Sequence, residues 1–184
     1  MTLELTEATL REPLRRLLSG REARRLPVVT GRSAAVLVPL FVHGGEVHVW
    51  LARRPQTMRS HAGQVAFPGG KSDAADGSLR DTALRETHEE LGIPPDEVDV
   101  LGPLDDVFTI TGFTISPWVG WVAPGIEVKP NEAEVARAFA APLRVFFEEP
   151  SGVLPFRGWT VDGELVWGAT AAMMRGFVAL LRTL

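Results

Sequence analysis

Arg85-Glu86-Thr87-His88-Glu89-Glu90-Leu91-Gly92-Ile93 is the stretch on which the fold turns. It closes a helix that the sequence predicts over residues 79–91. Ser78 and Asp81 supply a capping pair, Gly92 suits the left-handed turn after a last helical residue, and Pro94-Pro95 blocks continuation. Successive helical residues are about 100° apart, so Glu86, Glu89 and Glu90 fall within roughly one 100° sector, with Leu84, Thr87 and Leu91 on another side. Such a helix packs one face and presents three carboxylates on the other. Like charges at these spacings disfavour a helix by roughly a few tenths of a kcal/mol per pair, so the trio wants a compensating cation. Hard divalent ions such as Mg²⁺ or Mn²⁺ prefer oxygen ligands and meet that need. Taken alone, the three glutamates would equally describe a solvated acidic face.

The upstream residues change that balance. Gly69-Gly70 is followed, after five residues, by Asp76, and eight further residues lead to Arg85. This stretch strongly resembles the Nudix box: a glycine, a glutamate six residues later, then R-E-U-x-E-E-x-G-U, where U is a bulky aliphatic residue. Three departures are visible. The first acid is Asp76, the gap from it to Arg85 is one residue longer, and the first U is Thr87. The role of Asp76 therefore stays open. The resemblance implies an α/β protein, a Nudix-type α/β/α sandwich with a mixed sheet and the box as loop-helix-loop. It covers a single domain over residues 1–184, with residues 1–30 as an N-terminal helix or flap packed on it.

The resemblance implies a catalytic set of Glu86, Glu89, Glu90 and Arg85. Glu86 and Glu90, four residues apart, point the same way and are the expected metal ligands, with Glu89 as the third, directly or through water. Arg85 is placed to pair with Glu89 and fix its rotamer, unless it forms an ordinary surface ion pair. A metal ion there would neutralise charge on a leaving phosphate and acidify a bound water. Gly69 and Gly70 would leave bare backbone for close approach to metal or phosphate. The general base is open at this level: Glu89, Asp105, Asp106 or a hydroxide on the metal itself.

The segment before the box narrows the substrate. It runs from Trp50 through Arg54, Arg59, His61 and Gly63 to Phe67-Pro68-Gly69-Gly70. It is similar to the extra signature of the coenzyme A pyrophosphatase branch, L-L-T-x-R-[SA]-x3-R-x3-G-x3-F-P-G-G, with Trp50, Ala52 and Pro55 departing from it. Trp167-Gly168-Ala169-Thr170-Ala171 also resembles a W-G-x-T-A segment of that branch. The implied activity is metal-dependent hydrolysis of coenzyme A or its thioesters, giving 3′,5′-ADP and 4′-phosphopantetheine or its acyl form. Coenzyme A carries a 3′-phosphate besides its pyrophosphate, so its pocket needs further cations; Arg54 and Arg59 are the candidates. His61 is either a donor to phosphate or a loop-ordering residue. His88 points away from the glutamates. The runner-up is a Nudix enzyme for ADP-ribose or a dinucleotide. A non-catalytic nucleotide sensor would be marked by lost box carboxylates, and all three are present.

The rest of the chain agrees. With 184 residues, 45% hydrophobic and 23% charged, it can bury one core. The absence of cysteine removes thiolate chemistry and cysteine-based zinc sites and fits a reducing, cytoplasmic compartment. No apolar run approaches a bilayer span, and the formal charge of −4 argues against nucleic-acid binding. Arg11, Arg15, Arg16, Arg21, Arg24, Arg25 and Arg32 make the first segment locally basic, either as a solvated helix face or as a binding surface. A homodimer is common among related enzymes and is the partner implied beside a nucleotide substrate. Leu10, Leu14, Leu17 and Leu18 predict an amphipathic N-terminal helix. Strands are expected over residues 34–42, 46–52, 64–67, 98–101, 107–110 and 114–122, with Pro117 suggesting an edge or bulge. Pro68-Gly69-Gly70 should break regular structure. A short helix is expected over 131–139, a hairpin around Asp162-Gly163, and a closing apolar helix over 169–184. Trp118, Trp121, Trp159 and Trp167 are expected in the core.

Overall fold

Two consecutive glycines with positive φ, Gly44 and Gly45, turn β1 (Ser33–His43) back into β2 (Glu46–Arg53), as a tight hairpin turn requires. The computed structural model describes residues 5–57 and 61–184. β3 (Val65–Ala66) and β4 (Gly69–Lys71) follow, then α2 (Leu79–Leu91), with α1 (Glu7–Ser19) preceding β1. β5 (Val98–Pro103), β6 (Val107–Phe108), β7 (Thr114–Val122) and β8 (Arg137–Pro142) complete one mixed sheet. Within it β1 and β7 run parallel and the other pairings are antiparallel. The chain ends in a small hairpin, β9 (Trp159–Val161) and β10 (Glu164–Val166), and α3 (Gly168–Leu181).

Register explains how the box reaches the sheet. β1 gives one edge to β7, and on its other edge it meets β2 near His43 and β4 near Ala35. β2 gives one edge to β8, and on the other it meets β1 near Glu46 and β3 near Arg53. β3 and β4 therefore sit in the fork where β1 and β2 splay apart. Pro68 separates β3 from β4, as the sequence suggests, but Gly69 and Gly70 belong to a strand. Gly69, at φ 156°, lies against the Ala35 carbonyl, so close that a side chain there would collide with it, and β4 pairs with β1 from that point.

Alternation along the strands sends Val36, Val38 and Leu40 to a core shared with α1 and α3, and Ala35 and Leu37 to a core shared with α2. This is an α/β/α sandwich. α1 is capped by Thr6 and buries Leu10, Leu14 and Leu18. At each of these, truncation to alanine should cost about 2–5 kcal/mol. Four arginines of the basic N-terminal segment are engaged by carboxylates of the chain itself, while Arg16 and Arg24 are exposed. Arg11 and Arg15 hold Asp99, Arg21 holds Asp105 and Arg25 holds Asp106.

Two further expectations are corrected. Pro117 lies in β7, which is interior to the sheet. Its missing N–H is harmless because its carbonyl side faces the gap where β5 gives way to β6, and that carbonyl accepts from Leu104 (2.9 Å). Residues 131–139 are not a helix: a turn closed on the Asn131 carbonyl leads into β8, whose Phe139 and Ala141 are buried at a period of two. Trp121 and Trp159 are core residues, whereas Trp118 and Trp167 are partly exposed. Among the described residues no helix is long and apolar enough to cross a membrane.

Candidate active site

α2 is fixed at both ends. Ser78 accepts the Asp81 N–H (3.2 Å) and donates to the Asp81 carboxylate (2.8 Å), while Gly92, at φ 69°, closes on the His88 carbonyl (2.9 Å). Thr87 stands where a bulky aliphatic residue is expected, and it is fully buried because its hydroxyl donates to the Ala83 carbonyl (2.7 Å). Between these points the three glutamates meet different surroundings. The Glu89 side chain is 49% exposed and that of Glu86 14%, whereas Glu90 is only 4% exposed. The acidic sector thus straddles the boundary between water and sheet and is not a uniformly solvated face.

Helix and β4 interlock at this boundary. The Gly69 N–H donates to Glu90 Oε2 (3.1 Å), and the Glu86 carboxylate occupies the space a side chain on Gly70 would need. Burial pushes the Glu90 carboxyl up to about 7. The Gly69 N–H and the Arg54 charge oppose that rise, and Glu86 and Glu134 add to it. Burial also raises Glu86, against its bond to Arg85 and with help from Glu89 and Glu134.

Arg85 does more than pair with Glu89. It does reach Glu89 (3.0 Å) and Glu86 (2.9 Å), but it also grips Asp76 through Nε to Oδ1 (2.8 Å) and Nη2 to Oδ2 (3.0 Å). Asp76 further accepts from the Thr82 hydroxyl (2.7 Å) and the Asp73 N–H (2.9 Å). Arg85 first, then these two donors, hold the Asp76 carboxyl well below the usual range. Its role follows: an acid one methylene shorter than glutamate, on a loop one residue longer, still makes the bidentate pair that orients Arg85.

The other expected residues divide. Arg54 lies close enough to Glu90 for its charge to act there, and its N–H donates to the Gln64 carbonyl (3.0 Å). His61 shows a loop-ordering contact, Nδ1 to Gln64 Oε1 (2.9 Å). Arg59 lies outside the described residues. Asp105 is engaged by Arg21, and the buried Asp106 by Arg25 (2.7 Å), Ser116 (2.7 Å) and the Leu26 N–H (2.9 Å). Those bonds leave the two aspartates tying the N-terminal segment to the sheet. Glu134, in contrast, lies near enough for its charge to act on Glu86 and Glu90, although the sequence predicts a helix there. Its turn is pinned by the Asn131 N–H to the Glu90 carbonyl (2.9 Å) and by the Ala136 N–H to the Arg53 carbonyl (2.9 Å). The signal available was the period-two run after it, which marks a strand and hence a turn before.

Two desolvated carboxylates with a third at the rim offer the oxygen donors that a hard cation prefers. Among the described residues, no three His, Asp or Glu side chains are grouped closely enough to hold a metal ion. Glu86 is instead turned onto Arg85.

A model of the NUDIX domain matches residues 31–155. The chain belongs to the Nudix family. It is 41% identical over 159 residues to the uncharacterized Nudix hydrolase NudL of Pectobacterium atrosepticum, covering 80% of this chain and 82% of that protein. It is also 38% identical over 183 residues to NudL of an Enterobacter species, covering 94% and 95%. Among solved structures it resembles the Nudix hydrolase RenU of M. smegmatis, at TM-score 0.62 and 20% identity over 83% of this chain and 86% of that one. It also resembles the NUDIX domain of Shewanella oneidensis NrtR complexed with ADP ribose, at TM-score 0.58 and 16% identity over 89% and 92%. These structural likenesses confirm the Nudix fold. Nudix hydrolases generally use divalent metal ions, and the donor set at Glu86, Glu89 and Glu90 suits one.

Proposed function

We propose that this Nudix hydrolase cleaves the pyrophosphate of coenzyme A or its thioesters with Mg²⁺ or Mn²⁺, releasing 3′,5′-ADP and 4′-phosphopantetheine or its acyl form. The observation that carries the reading is the placement of Arg54. The charge of this arginine of the pre-box segment acts on Glu90, so a cation able to meet phosphate lies near the proposed metal-binding carboxylates. Glu86, Glu89 and Glu90 would hold the ion, and Arg85, braced by Asp76, would keep Glu86 and Glu89 in place. When bound, the ion supplies charge neutralisation on the pyrophosphate and a more acidic water. Net hydrolysis adds one water across the P–O–P linkage: its oxygen ends on one phosphorus and the bridging oxygen leaves with the other. Gly69 lets β4 close on β1 and Gly70 leaves room for the Glu86 carboxylate, while Arg54 and Arg59 would meet the negative charge of the substrate.

The test is a comparison of coenzyme A, dephospho-coenzyme A and ADP-ribose at matched metal concentration. Dephospho-coenzyme A leaves a guanidinium without its 3′-phosphate partner and should fall roughly ten- to hundredfold in kcat/KM, the range for a charge-assisted hydrogen bond. The discrimination should shrink in Arg54→Ala or Arg59→Ala. Equal rates on the two coenzyme A forms, or a faster rate on ADP-ribose, would overturn the coenzyme A reading and leave the glutamate helix standing.

A further inference from the structure

Residues 156–184 lie beyond the stretch matched by the NUDIX domain model, yet they reach back to the loop that precedes the box. β3 shows how. Across the β2–β3 pairing the Arg54 N–H donates to the Gln64 carbonyl (3.0 Å). In an antiparallel ladder the next residue turns its polar groups to the opposite side, so the Val65 carbonyl faces away from β2. There the Thr170 hydroxyl, in the first turn of α3, donates to it at 3.0 Å in a buried bond. A second tie runs from the β9–β10 hairpin, where Glu164 engages Arg53 (3.1 Å) and Arg137 (3.2 Å). Arg53 is the residue paired with Val65.

We infer that Thr170 is a positioning residue for the substrate loop: through the Val65 carbonyl it holds residues 61–67, and with them Arg54, from the C-terminal helix. The inference rests on the proposed function in taking Arg54 and residues 61–67 as the substrate-facing segment. It also gives the Trp167-Gly168-Ala169-Thr170-Ala171 stretch a physical reason. Gly168, at φ 61°, turns the chain out of β10 directly into α3, Ala171 packs with no exposed surface, and Thr170 is thereby aimed at β3. β3 is only two residues long, so few other bonds fix it. The Pro68–Gly69 step is held separately, to β1 by the Leu37 N–H donating to the Pro68 carbonyl (2.9 Å) and to the glutamate helix by the Gly69 N–H donating to Glu90. Loss of the Thr170 hydroxyl should therefore disturb substrate binding more than the chemical step.

Thr170→Val keeps the shape and removes the donor. Its KM for coenzyme A should rise about fivefold with kcat within about twofold, and Thr170→Ser should return KM to near wild type. Hydrogen–deuterium exchange should quicken in residues 61–67 of Thr170→Val and stay unchanged in α2. Should Thr170→Val not fold, Thr170→Ala decides in the same way: a KM raised about fivefold at steady kcat supports the positioning role, and an unchanged KM overturns it. Unchanged KM and exchange in Thr170→Val, or equal losses in kcat and stability that Thr170→Ser does not restore, would overturn the positioning role. If the wild-type chain turns over ADP-ribose and not coenzyme A, the substrate reading fails, and the same kinetics on ADP-ribose still decide Thr170.

Discussion

The loop at Asp105-Asp106 and the turn at Glu134 both bring acidic residues to the sheet, yet they come to opposite ends. Asp105 and Asp106 are met by Arg21 and Arg25, so their charge is matched from within the chain. The charge of Glu134 instead acts on Glu86 and Glu90 in the same sense as their own, raising both. A buried carboxylate that has its own arginine is a structural tie. A group of carboxylates that lacks enough internal cations is a site waiting for one from outside. Arg85 stands between these cases, since its guanidinium is shared among Asp76, Glu86 and Glu89.

The contrast can be broken most sharply at the helix. Glu86→Gln and Glu90→Gln should each lower kcat by at least roughly two orders of magnitude, because each removes a ligand charge while keeping the shape. Near-wild-type turnover of either variant, measured on whichever substrate the parent accepts, would remove that glutamate from the chemistry.

Next comes the metal-free protein. A Glu90 carboxyl raised from 4.5 to about 7 binds its proton more tightly in the folded state than in the unfolded one. Stability from this group is thus fully present below pH 4.5 and is lost as the pH rises towards 7, by about 3 kcal/mol. Glu86, raised in the same direction, adds to the loss. Denaturant unfolding in chelator at pH 5 and pH 8 should show the decline in the parent and a shallower one in Glu90→Gln. Parallel profiles would show that Glu90 does not titrate in this window.

Asp106→Ala should do the reverse of the helix variants. Losing a buried, triply bonded carboxylate opposite Arg25 should cost about 2–3 kcal/mol of stability and leave kcat within about twofold. A protein that melts normally and has lost turnover would transfer the catalytic role to Asp106. The smallest effect belongs to Glu134→Gln. Removing one nearby negative charge should weaken divalent-ion affinity by about tenfold, read by calorimetric titration of Mg²⁺ or Mn²⁺. An unchanged affinity would detach Glu134 from the site.

Much of this was legible locally. The capping residues and Gly92 delimit α2 because helix ends depend on side-chain donors and φ preferences only a few residues apart. The positive φ of Asp162 and Gly163 likewise makes the predicted hairpin. The 100° rule brought Glu86, Glu89 and Glu90 together but could not rank their burial, since that depends on how β4 meets the helix. It was also blind to Asp76 as the brace of Arg85, because loop length and side-chain length compensate only in three dimensions.

The sequence by itself determined most of the elements, the acidic helix and the family to which its spacing belongs, since these rest on periodicity and on neighbours within a turn or two, whereas β4 and β8 emerged only from pairing across the sheet. Only the tertiary structure decided which carboxylates are already neutralised. It turned Asp105 and Asp106 into anchors, brought the charge of Glu134 to bear on Glu90, and let Thr170 reach Val65 from 105 residues away. Those contacts cross between strands and helices distant in the chain, where no local rule of spacing operates, and the packing of the sheet alone brings them within bonding distance.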